Sequence, residues 1–240
     1  RRGSPAFTVG FNRDEQRDRP RGDGVRVCST GRGTALLPWD PVGCGTWIAA
    51  TDAGIVLALL NRNEPGLPDG RAPGRSRGAI ILELLDCRSI ESLAQGAEAV
   101  ARTITRGFRL VATDGARVLD VVGGRSAGEA WLGPLERPIV RSSSGLGDQL
   151  VIGPRQQLFE SVVGCAPRER WSSAQRLFHS HAWSDQTHLS VLMDRDAART
   201  VSQTFVLVGD GRVAGEHAAR LDGSDGCGFE TASSHAMPLR

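Results

Sequence analysis

Short apolar runs bounded by glycine, proline and small polar residues occur towards both ends of the chain. Runs of this kind are typical of β-strands. Strands are predicted over residues 6–11, 46–50, 55–60, 108–113, 117–122, 138–142, 189–193, 200–208 and 213–218.

Several neighbouring runs are joined by turns that contain aspartate and glycine. Asp52-Ala53-Gly54, Asp114-Gly115 and Gly209-Asp210-Gly211 have the composition of tight hairpin turns. The strands on either side of each turn are therefore expected to pair antiparallel. A loop rich in proline and glycine is predicted over residues 61–76, where apolar residues are sparse.

The middle of the chain has the period of amphipathic helices. Helices are predicted over residues 77–85 and 90–105, and the second has apolar residues on one stripe. Another is predicted over 156–163. A fourth is expected to end near His179, with Ser172 and Gln175 forming a capping box at its start.

Strands, then helices, then strands again indicate an α+β fold in which a sandwich of sheets is covered by helices. The 240 residues of the chain are enough to bury a sizeable core. We predict a single domain over residues 1–221 and a disordered tail over 222–240.

Composition excludes several classes of function. The 29 positive residues are all arginine and are interspersed with 27 acidic ones, so no basic block predicts a nucleic-acid partner. Without lysine there is no side-chain amine for covalent catalysis. Five cysteines without a CxxC pair favour a reducing compartment and a cytoplasmic location. No apolar run is long enough to make the chain integral to a membrane.

The first predicted strand leads into the most distinctive motif, Asn12-Arg13-Asp14-Glu15. We predict that this motif begins a polar turn over residues 12–18, before Pro20. The segment Gly43-Cys44-Gly45-Thr46-Trp47 follows about thirty residues later, and the strand 55–60 then closes on Asn61. Together these motifs resemble the NRDE family, also called the transport and Golgi organisation type 2 family, in its bacterial members.

That resemblance implies a relation to the amino-terminal-nucleophile (Ntn) hydrolases and a four-layer αββα sandwich. It also implies hydrolysis of a non-peptide amide bond. Family members ordinarily begin Met-Cys a few residues before the first strand, and that cysteine becomes the amino-terminal nucleophile. The expected nucleophile therefore lies upstream of Arg1.

Five residues are candidates for the chemistry of such an enzyme. Asp14 would hold the α-amine that acts as the base, and Arg13 would assist, although the arginine of the relatives falls at Phe11. Asn61 and Ser143 would donate to the developing oxyanion. Arg199, at a strand start, would bind a substrate carboxylate or favour a thiolate.

Simpler roles are open for the same residues. Asn12 would cap a turn while Arg13, Asp14 and Glu15 form surface ion pairs, and Asn61 would only end a strand. Ser143 would belong to a solvated loop, and Arg199 would make a salt bridge at a sheet edge. The residues Gly45, Thr46 and Trp47 are expected to be structural.

A non-enzymatic protein that binds a small ligand, an acyl lipid or haem, is the alternative function implied by the family. No cofactor or metal is predicted, since His179 and His181 are two residues apart, His188 follows seven residues later, and no third ligand is placed beside the pair at zinc-like spacing. Cys44 replaces a family glycine in a tight turn, and a small thiol in that turn is favoured over a replacement nucleophile.

Overall fold

The computed structural model describes residues 6–63, 76–104, 106–124, 128–221 and 228–240. The strands within these ranges are β1 Phe7–Gln16, β2 Asp23–Ser29, β3 Thr34–Trp39, β4 Ile48–Thr51, β5 Val56–Asn61, β6 Phe108–Thr113, β7 Arg117–Gly123, β8 Glu129–Pro134, β9 Ala198–Gly209, β10 Arg212–Arg220 and β11 Phe229–Pro238. The helices are α1 Ala79–Leu84, α2 Ile90–Ala101, α3 Asp148–Phe159 and α4 Trp171–His179, with a π-helical turn over Glu160–Gly164 and a 3-10 turn over Arg168–Arg170.

Two antiparallel sheets form the centre of the part that the structure describes. The smaller has the order β1-β9-β10-β11, and the larger runs from β2 to β8 in sequence order. Apolar side chains of β1, β9, β10 and β11 pack against those of β2 to β5 and form the core between the sheets.

Helices cover both outer faces of this sandwich. Helices α1 and α2 bury Ile80, Ile81, Leu84 and Leu93 against the outer face of the larger sheet. Helix α4 packs on β1, and its Phe178 joins a third cluster with Phe159 of α3. The layers are therefore helix, sheet, sheet, helix, which confirms the αββα sandwich.

The predicted hairpins are confirmed, and their turns show why. Asp210 and Gly211 both have positive φ, at 51° and 72°, which is the type I′ geometry that matches the twist of two paired strands. At the β6–β7 turn, the carboxylate of Asp114 accepts the amides of Ala116 and Arg117. Local turn chemistry was therefore sufficient to predict these pairs.

The predicted strand 189–193 is wrong, although Ser190 to Met193 are buried. Side chains bond much of its backbone, and two backbone bonds, Leu192 N to His181 O and Thr200 N to Met193 O, complete the set. Asn12 donates to Val191 O, Arg155 donates to Leu189 O and Ser190 O, and Thr200 Oγ1 accepts from Met193 N. An apolar run can therefore be buried without forming a strand.

Other differences concern element boundaries. The predicted strand 138–142 is irregular, while the strands β2, β3, β8 and β11 were not predicted. Helix α3 begins at Asp148, eight residues before the prediction, because Pro154 is accommodated inside it. Helix α4 has no side-chain cap, and Gln175 donates to Thr8 O of β1 instead.

The predicted disordered tail is wrong over the residues described. Strand β11 pairs antiparallel with β10 along its length, and Met237 is buried between the sheets. Pairing with a neighbouring strand orders a segment whose own side chains are mostly exposed. Residues 222–227 of that tail, residues 64–75 of the predicted loop, residue 105 of the predicted second helix and residues 1–5 lie outside the described residues.

The two sheets differ in width, and this difference makes room for a groove. The smaller sheet covers β2 to β5, whereas the inner side of β6 and β7 bears the polar residues Arg109 and Asp120. Helix α3 and the segment 140–142 lie over that side. The inner face of the larger sheet therefore packs into the core at β2 to β5 and lines a groove at β6 and β7.

Candidate active site

The first motif lies within β1, which continues to Gln16, so the predicted turn over residues 12–18 is wrong over Asn12 to Gln16. Successive side chains of a strand point to opposite faces. Asn12 and Asp14 face the α4 side, while Arg13 and Glu15 face the larger sheet. The strand therefore divides the four residues between two different environments.

On the inner side, Arg13 is the centre of a network of ion pairs. Its Nη2 lies 3.3 Å from both Glu15 Oε2 and Asp40 Oδ2, and Arg19 pairs with the same two carboxylates. Arg13 is 6% exposed, and its guanidinium carbon lies 4.5 Å from the centre of the Trp47 ring, a cation–π contact. Burial lowers the pKa of Arg13. Arg13 thus lies on the other side of β1 from Asp14.

The Gly43–Trp47 motif completes this network from the larger sheet. Asp40 Oδ1 accepts the amides of Val42 and Gly43, which holds the tight turn in which Cys44 has φ 48°. A Cβ on Gly45 would lie 2.5 Å from the carbonyl carbon of Gly78, so only glycine fits beside the start of α1. Thr46 and Trp47 are buried.

On the outer side, Asn12 links three segments of the chain. Its Nδ2 donates to His179 O at 2.8 Å and to Val191 O at 2.9 Å. Its Oδ1 accepts from Gln203 Nε2 at 3.2 Å and lies 3.0 Å from His179 Nδ1. Because this oxygen can only accept, His179 carries its proton on Nδ1. Asn12 therefore has a structural role rather than that of a turn cap.

Asp14 is oriented by a β-bulge opposite it. Arg13 pairs with Ser202 and Asp14 pairs with Thr200, so Val201 has no partner on β1. The bulge turns Thr200 to the face of Asp14, where Thr200 Oγ1 donates to Asp14 Oδ1 at 2.6 Å. Met193 N donates to the same hydroxyl, which fixes its direction.

Asp14 is exposed, although many protein atoms lie near its carboxyl group. Burial raises its pKa, while the bond from Thr200 and the nearby Arg155 and Arg195 act in the opposite direction. An accessible carboxylate with a shifted pKa is typical of functional sites. Asp14 is therefore an accessible carboxylate whose direction is fixed by Thr200.

The segments that carry Asn61 and Ser143 meet at the first turn of α3. Asp148 accepts the amides of Asn63 and Ser144, at 3.0 and 2.8 Å. Asn61 is exposed at the end of β5 and lines a cavity together with Ser142. Asp148 thus joins the loop after β5 to the loop of residues 142–144, which we call the serine-rich loop.

Arg155 extends this assembly towards β1. Its guanidinium is buried and donates to Ser143 O at 3.3 Å and to Ser190 O at 2.6 Å. The same guanidinium also contributes to the electrostatic environment of Asp14. Arg155 therefore contacts the serine-rich loop and acts electrostatically on Asp14. Arg199 instead lies opposite Glu15 in the pairing of β1 and β9, on the inner face.

Three polar residues of this region were not predicted: Asp148, Arg155 and Thr200. Asp148 and Arg155 are seven residues apart and lie on the buried stripe of α3 with Val151 and Phe159. Charged residues at the apolar positions of a helix would have pointed to Asp148 and Arg155. Gly153 and Pro154 disfavour a helix, however, so no helix was predicted over these positions. Thr200 had no signal, since only the bulge turns it to Asp14.

Two of the histidines considered for a metal site, His179 and His181, are engaged in other contacts. His179 contacts Asn12 and packs edge-on against Phe178 and Phe205, and His181 packs against Trp183. Within the described ranges, no group of three or more His, Cys, Asp or Glu side chains is placed to bind a metal ion. No helix in the described part of the chain is long and apolar enough to span a membrane.

His217 is buried beneath Trp47, and its Nδ1 lies 2.9 Å from Thr204 Oγ1. Burial, and secondly the charge of Arg13, lowers the pKa of His217 from 6.5 to about 4. Its neutral form therefore stabilises the folded state fully above pH 6.5, and this contribution is lost as the pH falls towards 4.

We expect the His217 contribution to the free energy of unfolding to be about 2 kcal/mol smaller at pH 5 than at pH 7. Urea unfolding of the natural chain and of His217→Gln, each at pH 5 and at pH 7, measures this difference in the free energy of unfolding. The variant should lose that part of the pH dependence, whereas the exposed His235→Gln should keep it. Acid sensitivity that remains in His217→Gln is assigned to His179, because burial also lowers the pKa of His179 to about 4. An unchanged pH dependence in His217→Gln would contradict the prediction.

Solved structures share this architecture. The chain is similar to penicillin V acylase from Agrobacterium tumefaciens, with a TM-score of 0.50 and 14% identity over 90% of this chain and 80% of that one. It is also similar to a mutant of conjugated bile acid hydrolase from Clostridium perfringens, with a TM-score of 0.50 and 8% identity over 97% and 88% of the two chains. The fold is therefore that of the Ntn hydrolases.

The family follows from the sequence match. The model of the Transport and Golgi organisation 2 (TANGO2) family matches residues 4–210, and the chain belongs to this family. The resemblance to the NRDE proteins is thereby confirmed. No curated protein matches the sequence.

Proposed function

We propose that this protein hydrolyses a non-peptide amide bond, with a cysteine upstream of Arg1 as its amino-terminal nucleophile. One observation carries the proposal. The exposed end of β5 at Asn61 and the serine-rich loop are fastened to one helix turn by Asp148, beside the Arg155 that reaches the surroundings of Asp14. Acyl transfer needs these components in one place: an amine holder and neutral donors.

The proposed roles follow from the chemistry of each group. Asp14 holds the α-amine, and the amine takes the proton of the cysteine thiol as the sulfur attacks the amide carbonyl carbon. Asn61 Nδ2 and a donor of Ser143 stabilise the negative charge that develops on the carbonyl oxygen. The C–N bond then breaks, and the ammonium returns its proton to the leaving amine.

Water completes the reaction. The α-amine takes a proton from a water molecule, whose oxygen attacks the thioester carbonyl carbon. Breaking of the C–S bond releases a carboxylic acid and restores the thiol. Arg13 and Arg199 are given no step, because Arg13 pairs with Glu15 and Asp40 and Arg199 lies opposite Glu15, on the face of the small sheet away from Asp14.

The proposal is tested on the full natural chain purified from its host. Intact mass and amino-terminal sequencing are expected to give a mature chain that begins with cysteine. A panel of N-acyl amides, followed by mass spectrometry, should then show release of an amine and a carboxylic acid. The variant in which that cysteine is alanine is the control, and it should release neither product.

Two results would count against the proposal. The first is a mature chain with any residue other than cysteine at its start. The second is hydrolysis that persists in the alanine variant. If the natural protein instead retains an acyl lipid or haem through purification without cleaving it, the binding function implied by the family replaces the hydrolase.

A further inference from the structure

A groove runs from Asn61 along the inner face of the larger sheet. It contains two adjoining cavities, of about 110 Å³ and 300 Å³, which share Arg109, Ser142 and Ile152. The floor is the inner side of β6, and the wall is formed by α3 and the segment 140–142. The candidate oxyanion donor Asn61 therefore lies at one end of this groove.

Three arginines line the groove: Arg62, Arg109 and Arg141. Two acidic groups of the described residues lie at the cavities: Asp148 in their lining and Asp120 beside Arg109 and Arg141. Asp148 is engaged by the amides of Asn63 and Ser144. The carboxylate that pairs with Arg109 and Arg141 is therefore that of Asp120.

Asp120 is shared between two guanidinium groups. Arg141 Nε donates to Asp120 Oδ2 at 2.6 Å, and Arg109 Nε lies 3.1 Å from Asp120 Oδ1 without the alignment of a hydrogen bond. The side chains of Arg109 and Arg141 are 34% and 31% exposed. One carboxylate cannot satisfy the ten N–H donors of two guanidinium groups. Donors of both arginines are therefore available to a ligand in the groove.

We infer that this groove binds a carboxylate of the substrate, so that the amide to be cleaved belongs to an anionic molecule. Two guanidinium groups side by side suit a carboxylate, whose two oxygens accept charge-assisted hydrogen bonds. Asn61 lies at the end of the same groove and would face the carbonyl. The inference rests on the proposed function for the reaction, but the binding of the carboxylate is measured separately.

Binding is measured by calorimetry on the full chain with two pairs of probes. N-benzoylglycine and N-benzylsuccinamate carry the carboxylate on the amine side and on the acyl side of an amide, and their primary-amide counterparts are neutral. At least one carboxylate is expected to bind about tenfold more tightly than its counterpart, the effect of one good charge-assisted contact. The double variant Arg109→Gln, Arg141→Gln should lose this preference.

Two further variants complete the design. Arg212→Gln removes an exposed arginine of β10 and should keep the preference. Asp120→Asn leaves both guanidinium groups without their shared carboxylate and should increase it. Equal affinity for carboxylate and amide, or a preference that survives in the double variant, overturns the inference. Cleavage without the preference leaves the proposed function standing, and preference without cleavage leaves the carboxylate site standing.

Discussion

Replacing Asn12 with alanine is expected to lower the free energy of unfolding by about 4 kcal/mol, among the larger effects of a single substitution. The side chain makes bonds to His179, Val191 and Gln203, and alanine replaces none of them. Val191 O and His179 Nδ1 would be left without these partners in a part-buried environment, which costs more than the loss of an exposed hydrogen bond.

Urea unfolding at pH 7 measures the Asn12 effect. Gln16→Ala is the matched control, since Gln16 is exposed on the same face of the same strand, and its effect should stay within about 0.5 kcal/mol. If Asn12→Ala were as stable as the control, Asn12 would not join β1 to α4 and to the segment 189–193.

Replacing Asp14 with asparagine is expected to lower kcat about 1,000-fold while leaving the fold intact, within the range typical of losing acid–base assistance. Asparagine has nearly the same shape, and its amide oxygen can still accept from Thr200 Oγ1. It lacks the negative charge that would hold the protonated amine. The acid limb of the pH–rate profile should also move to lower pH, because an amine without a neighbouring carboxylate has a lower pKa.

Glu15→Gln is the control for Asp14→Asn. It removes a carboxylate from the next position of β1, but on the inner face with Arg13 and Arg19. Its kcat and pH profile should resemble those of the natural chain. Hydrolysis of the best amide substrate across pH 5 to 9 compares the variants, and equal losses in both would show that Asp14 acts only through the stability of the strand.

Local patterns predicted the parts of the fold that local interactions determine. The hairpins β4–β5, β6–β7 and β9–β10 follow from alternation and turn residues, and α2 follows from its apolar stripe. Strand β8 is almost wholly exposed, so no apolar pattern marked it. Strand β11 is ordered through β10, a partner that the sequence does not reveal.

The residues of the candidate site stay a prediction, and the sequence did not show their geometry. Asp14, Asn61 and Ser143 came from the resemblance to the family, which does not show which face of a strand each occupies. The separation of Asp14 from Arg13 follows from the continuation of β1 beyond the expected turn. The contribution of Arg155 depends on a helix that continues through Pro154, so long-range packing had to be seen directly.

The bulge at Val201 makes the register of β9 on β1 more important than the identity of the bulged residue. If the two strands paired without the bulge and with the same sequence, Val201 would lie opposite Asp14, Thr200 would turn towards the larger sheet with Glu15, and Asp14 would lose its hydroxyl donor. Substitution of Val201 by another apolar residue of similar size would keep the same faces. Selection at this position should therefore tolerate exchanges between similar side chains but act against changes that shift the register of β9 by one residue.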